Sequence, residues 1–335
     1  MKNIFLIVLT LLSLNLKSQV LRKRTTLLMG GRFDITIVAK NKVTAEKNID
    51  TVIAEISRIE NLISDWKPES QVSRVNQNAG IKPVKVDLEV LELTERAIKL
   101  SEATKGAFDI SFAALDRIWK FDGSMIEMPS AESIKKSVSL VGFSNIILDK
   151  EKSTIFLKLK GMKIGFGALG EGYAADKCRE MMLAKGIKAG IVNASGDMST
   201  WGIQPNGKDW IVGITNPVKE DAVLVVIPLK NKAIVTSGSY RKFVEFDGKR
   251  YSHIINPATG YPSTGLISVT VLGPSAEIAN GLSTSTMVLG MEAGKEFLKK
   301  YPAYSYLMIT DSGNIVYSND PIFSKMQLSK ISPNN

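Results

Sequence analysis

The chain of 335 residues contains one histidine and one cysteine. With Cys178 alone there is no intramolecular disulfide, and Cys178 reads as a small core residue on a helix. A zinc site built from His and Cys is excluded by the same counts. Any imidazole acting as a base near neutral pH has to be His253. Runs of like charge are missing too. The net charge of +10 is spread along the chain without an Arg-rich stripe, so a solvated basic surface is expected and nucleic acid is not an expected partner. Long apolar runs are absent after the N-terminus. There, Lys2 precedes an apolar segment at 4–12, too short for a comfortable bilayer span, and Ser18 offers a small residue before a cut at Gln19. We read 1–18 as a signal peptide and 19–335 as a single exported domain. No cysteine lies near the cut, so the chain is not expected to be a lipoprotein.

What remains is ordinary globular composition, 44% hydrophobic and 23% charged, enough for one large domain or two intimate lobes. The first element after the signal is expected near Met29, followed by a strand over 32–39 that puts Phe33, Ile35 and Ile37 on one face. Helical spacing of Ile49, Val52, Ile56, Ile59 and Ile63 predicts a helix over 44–63 with Thr44 as its cap. Further helices are expected from Asp87 to near Gly106, over 172–185 with Gly186 as its stop, over 276–289 and over 293–299. The stretch 187–251 is strand-rich, with a hairpin turning at Asp247-Gly248. A strand over 267–272 and a last hairpin around 311–313 complete an α+β pattern of largely antiparallel sheets with packed helices.

Four segments break these patterns and are rich in Gly, Asn, Asp, Ser or Thr, the composition of functional loops. Gly106-Ala107-Phe108-Asp109 follows a helix end, where a helix stop followed by a strand start is the plainer reading. Gly165 to Tyr173 (G-F-G-A-L-G-E-G-Y) enters a helix, where backbone N–H groups can approach a phosphate. Its spacing is neither the dinucleotide fingerprint nor a P-loop, and the segment reads equally as a tight strand-to-helix turn. Asn193 to Asp197 ends an apolar strand as a bend or a ligand edge, with Asp197 able to orient a ligand hydroxyl. His253 leaves a strand into the rigid Asn256-Pro257 loop, where an imidazole would be held still.

Taken in order, these segments resemble the ApbE-type FAD:protein FMN transferase family. Met29-Gly30, the run 64–76 (S-D-W-K-P-E-S-Q-V-S-R-V-N), Thr236-Ser237-Gly238 and 279–284 (A-N-G-L-S-T) extend the resemblance over about 29–319. It implies two lobes around an FAD cleft, with Mg2+ near the pyrophosphate. FMN would pass to a Thr or Ser hydroxyl of an exported or membrane redox subunit, with AMP released. The location implied is the periplasm or the periplasmic face of the inner membrane. By position, Met29 and Trp66 would line the flavin or adenine pocket. Ala107, Phe108, Asp109, Gly165, Glu171 and Ile254 would also meet the FAD. The Ala168 carbonyl, Asn280 and Thr284 would serve the metal, and His253 would be the base. Trp66 has a second reading, since an aromatic residue ending an amphipathic helix is more often core. The family usually has Asp at 165, Lys at 171 and Asp at 280. Asn280 keeps an oxygen but loses a charge, and Glu171 replaces a cation by an anion unless it serves the metal in compensation. Two alternatives follow from these departures: an FAD pyrophosphatase giving FMN and AMP, and an exported flavin-binding protein without turnover.

Overall fold

The computed structural model describes residues 19–324 except 116, 117, 220 and 241, so the expected signal peptide lies outside the described residues. The strands are β1 (Val20–Leu28), β2 (Gly31–Ala39), β3 (Val84–Lys85), β4 (Ile146–Asp149), β5 (Thr154–Leu157), β6 (Ala189–Ala194), β7 (Asp197–Trp201), β8 (Trp210–Thr215), β9 (Val223–Leu229), β10 (Ala233–Gly238), β11 (Phe243–Phe246), β12 (Lys249–Ser252), β13 (Leu266–Gly273), β14 (Ser305–Thr310) and β15 (Ile315–Tyr317). The helices are α1 (Lys42–Ile63), α2 (Gln71–Gln77), α3 (Leu88–Ala103), α4 (Ala131–Val138), α5 (Gly170–Ala184), α6 (Ala276–Leu289), α7 (Met291–Leu298) and α8 (Pro321–Ser324). Eight strands form one antiparallel sheet in the order β1-β2-β6-β7-β10-β13-β14-β15. The α+β expectation therefore holds.

Both faces of this sheet are covered. On one, Phe33, Ile35 and Ile37 pack with Ile49, Val52, Ile56 and Ile59 of α1, Ala174 and Cys178 of α5, and Ala279 and Leu282 of α6. On the other, Ile234, Leu272, Leu307 and Ile309 meet Trp210, Val212, Ile214 and Ile227 of the β8–β9 ribbon. Each fully buried large aliphatic side chain contributes roughly 1.5–3 kcal/mol. Cys178 is buried as expected, its thiol pushed up by loss of water.

Three local expectations need correction. The first element is β1, not a turn near Met29. It is an edge strand whose residues are half-buried or exposed, so it has no hydrophobic period to read. It is held by its ladder to β2 and by Arg22 and Arg24, which pair with Glu46 of α1. Thr44 does not cap α1. Asn41, in extended conformation, accepts the Thr44 amide at 2.8 Å, so the cap precedes the periodic run by more than the pattern shows. The third helix begins at Gly170, two residues early, because Gly170 to Gly172 already lie within the first turn.

The helices that carry the site meet at α5 and α6. A Cβ at Gly172 would lie 2.5 Å from the Ala276 carbonyl oxygen and 2.9 Å from the Glu277 nitrogen, so glycine lets the two backbones touch. One turn on, the buried Asp176 carboxylate accepts hydrogen bonds from Ser199 of β7 at 2.8 Å, from the Ser275 hydroxyl at 2.7 Å and from the Glu277 amide at 3.1 Å. Gly172→Ala must push backbone against backbone. We expect a loss of about 2 kcal/mol, read as a lower thermal midpoint, and a midpoint equal to that of the parent chain would refute the contact.

Candidate active site

A cleft of about 700 Å3 opens where the β1–β2 turn, the end of α1, the start of α5, the β6–β7 turn, β8, β10 and α6 converge. That volume suits a large small-molecule ligand. The candidates Met29, Trp66, Ala107, Phe108, Asp109, Ala168, Glu171, His253, Ile254, Asn280 and Thr284 all line it. Gly165 does not; it is buried behind the wall, beside Asp65. Trp66 is 81% exposed, so the core reading of this aromatic gives way to a cleft-rim position.

His253 is fixed by its own strand. Its amide donates to the Lys242 carbonyl at 3.0 Å, and its Nδ1 lies 3.1 Å from the same oxygen. A carbonyl only accepts, so Nδ1 carries the hydrogen and Nε2 keeps its lone pair. Phe121 packs edge-on against the ring. Burial, with a smaller effect of the Lys242 charge, holds the imidazole below its ordinary value of 6.5, which keeps it neutral at pH 7.

Across the cleft lies a chain of oxygen-bearing side chains. Asn280 Nδ2 donates to the buried Asp197 carboxylate. This leaves Asn280 Oδ1 as an acceptor for the Thr284 hydroxyl at 3.4 Å, and Thr284 also meets Ser237 at 3.2 Å. Burial, reinforced by Glu171, raises Asp197 well above the carboxylate range. Glu171 itself is pushed up to about 7 by burial, against a hydrogen bond with Ser195 and the charge of Lys242. Asp109 spends its carboxylate internally, accepting from the Ser111 amide and hydroxyl and from the Phe143 amide at 2.6–2.8 Å. Its loop lines the cleft, while the carboxylate ties that loop to residue 143. Among the described lining residues, Glu60, Asp65, Asp109, Glu171 and Asp197 face a single Lys or Arg, Lys242. With one Lys among so many acidic groups, the lining offers a phosphate little cationic support from side chains.

The ApbE family model matches residues 29–308. The chain belongs to the ApbE family. Among curated proteins it is similar to the FAD:protein FMN transferase of Klebsiella pneumoniae (strain 342), 31% identical over 84% of this chain and 83% of that protein. It is also 32% identical to that of Escherichia coli K12, over 83% and 80% of the two chains. Among solved structures, the ApbE protein of Thermotoga maritima superposes with a TM-score of 0.83 at 28% identity, covering 90% of this chain and 97% of that one. Flavin transferase ApbE from Vibrio cholerae superposes at 0.82 and 25%, covering 92% and 99%.

The sequence reading missed three parts of this ApbE cleft. Asp65 sat inside a quoted motif without a role, Lys242 in an unremarked turn, and Val212 and Ile214 in a strand that reads simply as apolar. Only Asp65 carried a signal, as a carboxylate next to an aromatic at a helix end. Trp66 supports no core, so Trp66→Ala should leave the thermal midpoint within about 1 °C of the parent. A fall of several degrees would restore the core reading.

Proposed function

We propose that this chain is an exported, Mg2+-dependent FAD:protein FMN transferase that attaches FMN to a Thr or Ser hydroxyl of a membrane redox subunit and releases AMP. The observation that carries this reading is that His253, with Nε2 free, and the Asn280–Thr284 oxygen cluster line one cleft. Export rests on the charged-then-apolar N-terminus. Among the described residues no helix is long and apolar enough to cross a membrane, and no three His, Cys, Asp or Glu side chains gather as a metal site. A cation here would therefore rest on mixed oxygen donors: Asn280 Oδ1, Thr284 Oγ1 and the Ala168 carbonyl, with Asp197 and Glu171 beside them. All are hard ligands of the kind Mg2+ takes, and the carboxylate excess of the cleft favours a divalent ion. When bound, Mg2+ would neutralise the pyrophosphate oxygens and orient them.

The chain's own residues supply the rest. His253 Nε2 accepts the proton of the acceptor hydroxyl as that oxygen forms its bond to the FMN phosphorus. The bond from that phosphorus to the bridging oxygen breaks, and its electron pair leaves with AMP. Gly170 and Glu171 of the first turn of α5 line the cleft, where the positive end of the helix dipole favours a phosphate. Glu171, in place of the family's Lys, supports the cation rather than the phosphate directly.

Incubation with FAD, Mg2+ and a small acceptor domain bearing a Thr should add one FMN-sized mass to the acceptor. EDTA and His253→Ala should each abolish it. Free AMP with an unmodified acceptor would replace this reading by an FAD pyrophosphatase, and intact bound FAD would replace it by a flavin binder. Because His253 is held below 6.5, its own protonation should lower kcat/KM only as pH drops beneath 6.5, and any acid limb near 7 should belong to Glu171 and vanish in Glu171→Gln. In Glu171→Gln, an acid limb centred above 7, or one that survives His253→Ala, removes His253 as the base. Glu171→Gln should raise the Mg2+ concentration for half-maximal rate by about tenfold, and an unchanged titration would deny Glu171 that part.

A further inference from the structure

Asp65 is the cleft carboxylate without work so far. It follows the C-terminal end of α1, lines the cleft next to Trp66, and is half-buried. Loss of water raises it above the ordinary carboxylate value, and only its own backbone N–H and the charge of Lys163 oppose that. Among the described residues no other residue's group donates a hydrogen bond to its side chain. Asp109, in the same wall, is fully engaged by Ser111 and Phe143. A desolvated carboxylate lacking a donor is costly, and it persists where a ligand supplies the donor.

The neighbour at 165 sharpens this. A Cβ built on Gly165 would lie 3.3 Å from Asp65 Oδ2 and 3.1 Å from the Ala113 Cβ. The backbone at 165 is not left-handed, so its φ does not call for glycine. Space is tight there: a Cβ at 165 would press on the Asp65 carboxylate and the Ala113 methyl, one of which must give by a few tenths of an ångström. The family resemblance places an acidic residue at 165, and in this chain the acid reaches the same spot from the end of α1.

We propose that Asp65 is an FAD-binding residue, its carboxylate receiving an N–H or O–H donor of the dinucleotide in the place that a side chain at 165 would otherwise fill. The inference rests on the reading that FAD occupies this cleft. It makes Gly165 and Asp65 one coupled exchange rather than two separate departures. It also makes the apo protein less stable than it need be, because the donor arrives only with the ligand.

The test is a double-mutant cycle on the full chain: parent, Asp65→Ala, Gly165→Asp, and both together. Each is measured for FAD affinity by flavin fluorescence titration, with FMN and ADP as competing probes, and for thermal midpoint without ligand. Asp65→Ala should weaken FAD about tenfold or more while raising the apo midpoint, a pairing that a merely structural residue would not give. Gly165→Asp alone should weaken FAD by crowding a second carboxylate against the first. The double variant should regain affinity to within about threefold of the parent. A weakening shared by FMN places the donor in the flavin half, and one shared by ADP places it in the adenosine half. If the parent binds FAD and Asp65→Ala binds it equally well, the inference is overturned while the proposed function stands. If the double variant binds no better than Asp65→Ala, the exchange is overturned. A parent chain that binds no FAD overturns the proposed function and this inference with it. Asp65→Ala decides the matter even if Gly165→Asp does not fold.

Discussion

The backbone contact between α5 and α6 is the constraint on which the site depends. Gly172 removes the Cβ that would hold the helices apart, and Asp176 fastens the junction to Ser199 on β7 and to the start of α6 at Ser275 and Glu277. A buried carboxylate is tolerable there because three donors reach it and Arg179 lies 3.6 Å away. Two cleft-lining pieces are set by this single junction. The N-terminal turn of α5 presents Gly170 and Glu171, and one turn beyond Ala276 the inner face of α6 presents Asn280 and Thr284. Asp197 enters from β7, two residues before Ser199, and so is registered by the same carboxylate. The oxygen cluster is thus held by rigid elements rather than by loops, as a coordinating site requires.

The opposite wall is built differently. His253 lies just past the β11–β12 hairpin, which belongs to a separate apolar cluster around Trp119, Ile134, Val244 and Ile255. The Trp119 indole N–H donates to the Gly260 carbonyl at 2.8 Å, and its ring stacks with Phe121 and Tyr251. Phe121 in turn meets the His253 ring. His253 is therefore positioned by an aromatic cluster, and the Asn280–Thr284 pair by a helix junction. The cleft is the gap between the two systems.

This division explains what was legible. The helices α1 and α3 announce themselves because one face of each is buried, which imposes helical spacing on residues such as Ile49, Val52, Ile56 and Ile59. The catalytic candidate was legible by counting, since a single histidine leaves no choice. The strand β1 was invisible because an edge strand without a buried face carries no period, and its ion pairs to α1 are long-range. Asp65 and Gly165 stood 100 positions apart and looked like unrelated oddities, because only the fold brings the carboxylate against the missing Cβ. Asp176 read as one more polar residue on a helix for the same reason: its three donors come from β7 and from the start of α6.

The substitution at 280 follows from the same electrostatics. Asn280 contacts Asp197, which is buried and already raised by Glu171. A carboxylate at 280 would put a third acid beside those two, with Lys242 as the nearest cation in the described lining. In a site without full solvent screening, like charges at that spacing cannot all stay ionised. An amide solves this in one step: its N–H satisfies Asp197, and its Oδ1 stays on the side of Thr284 as a neutral donor. Against the Asp at 280 and Lys at 171 that the resemblance implies, Asn280 and Glu171 leave the number of carboxylates around the cluster unaltered but remove a positive charge, so the cluster is the more acidic by one charge.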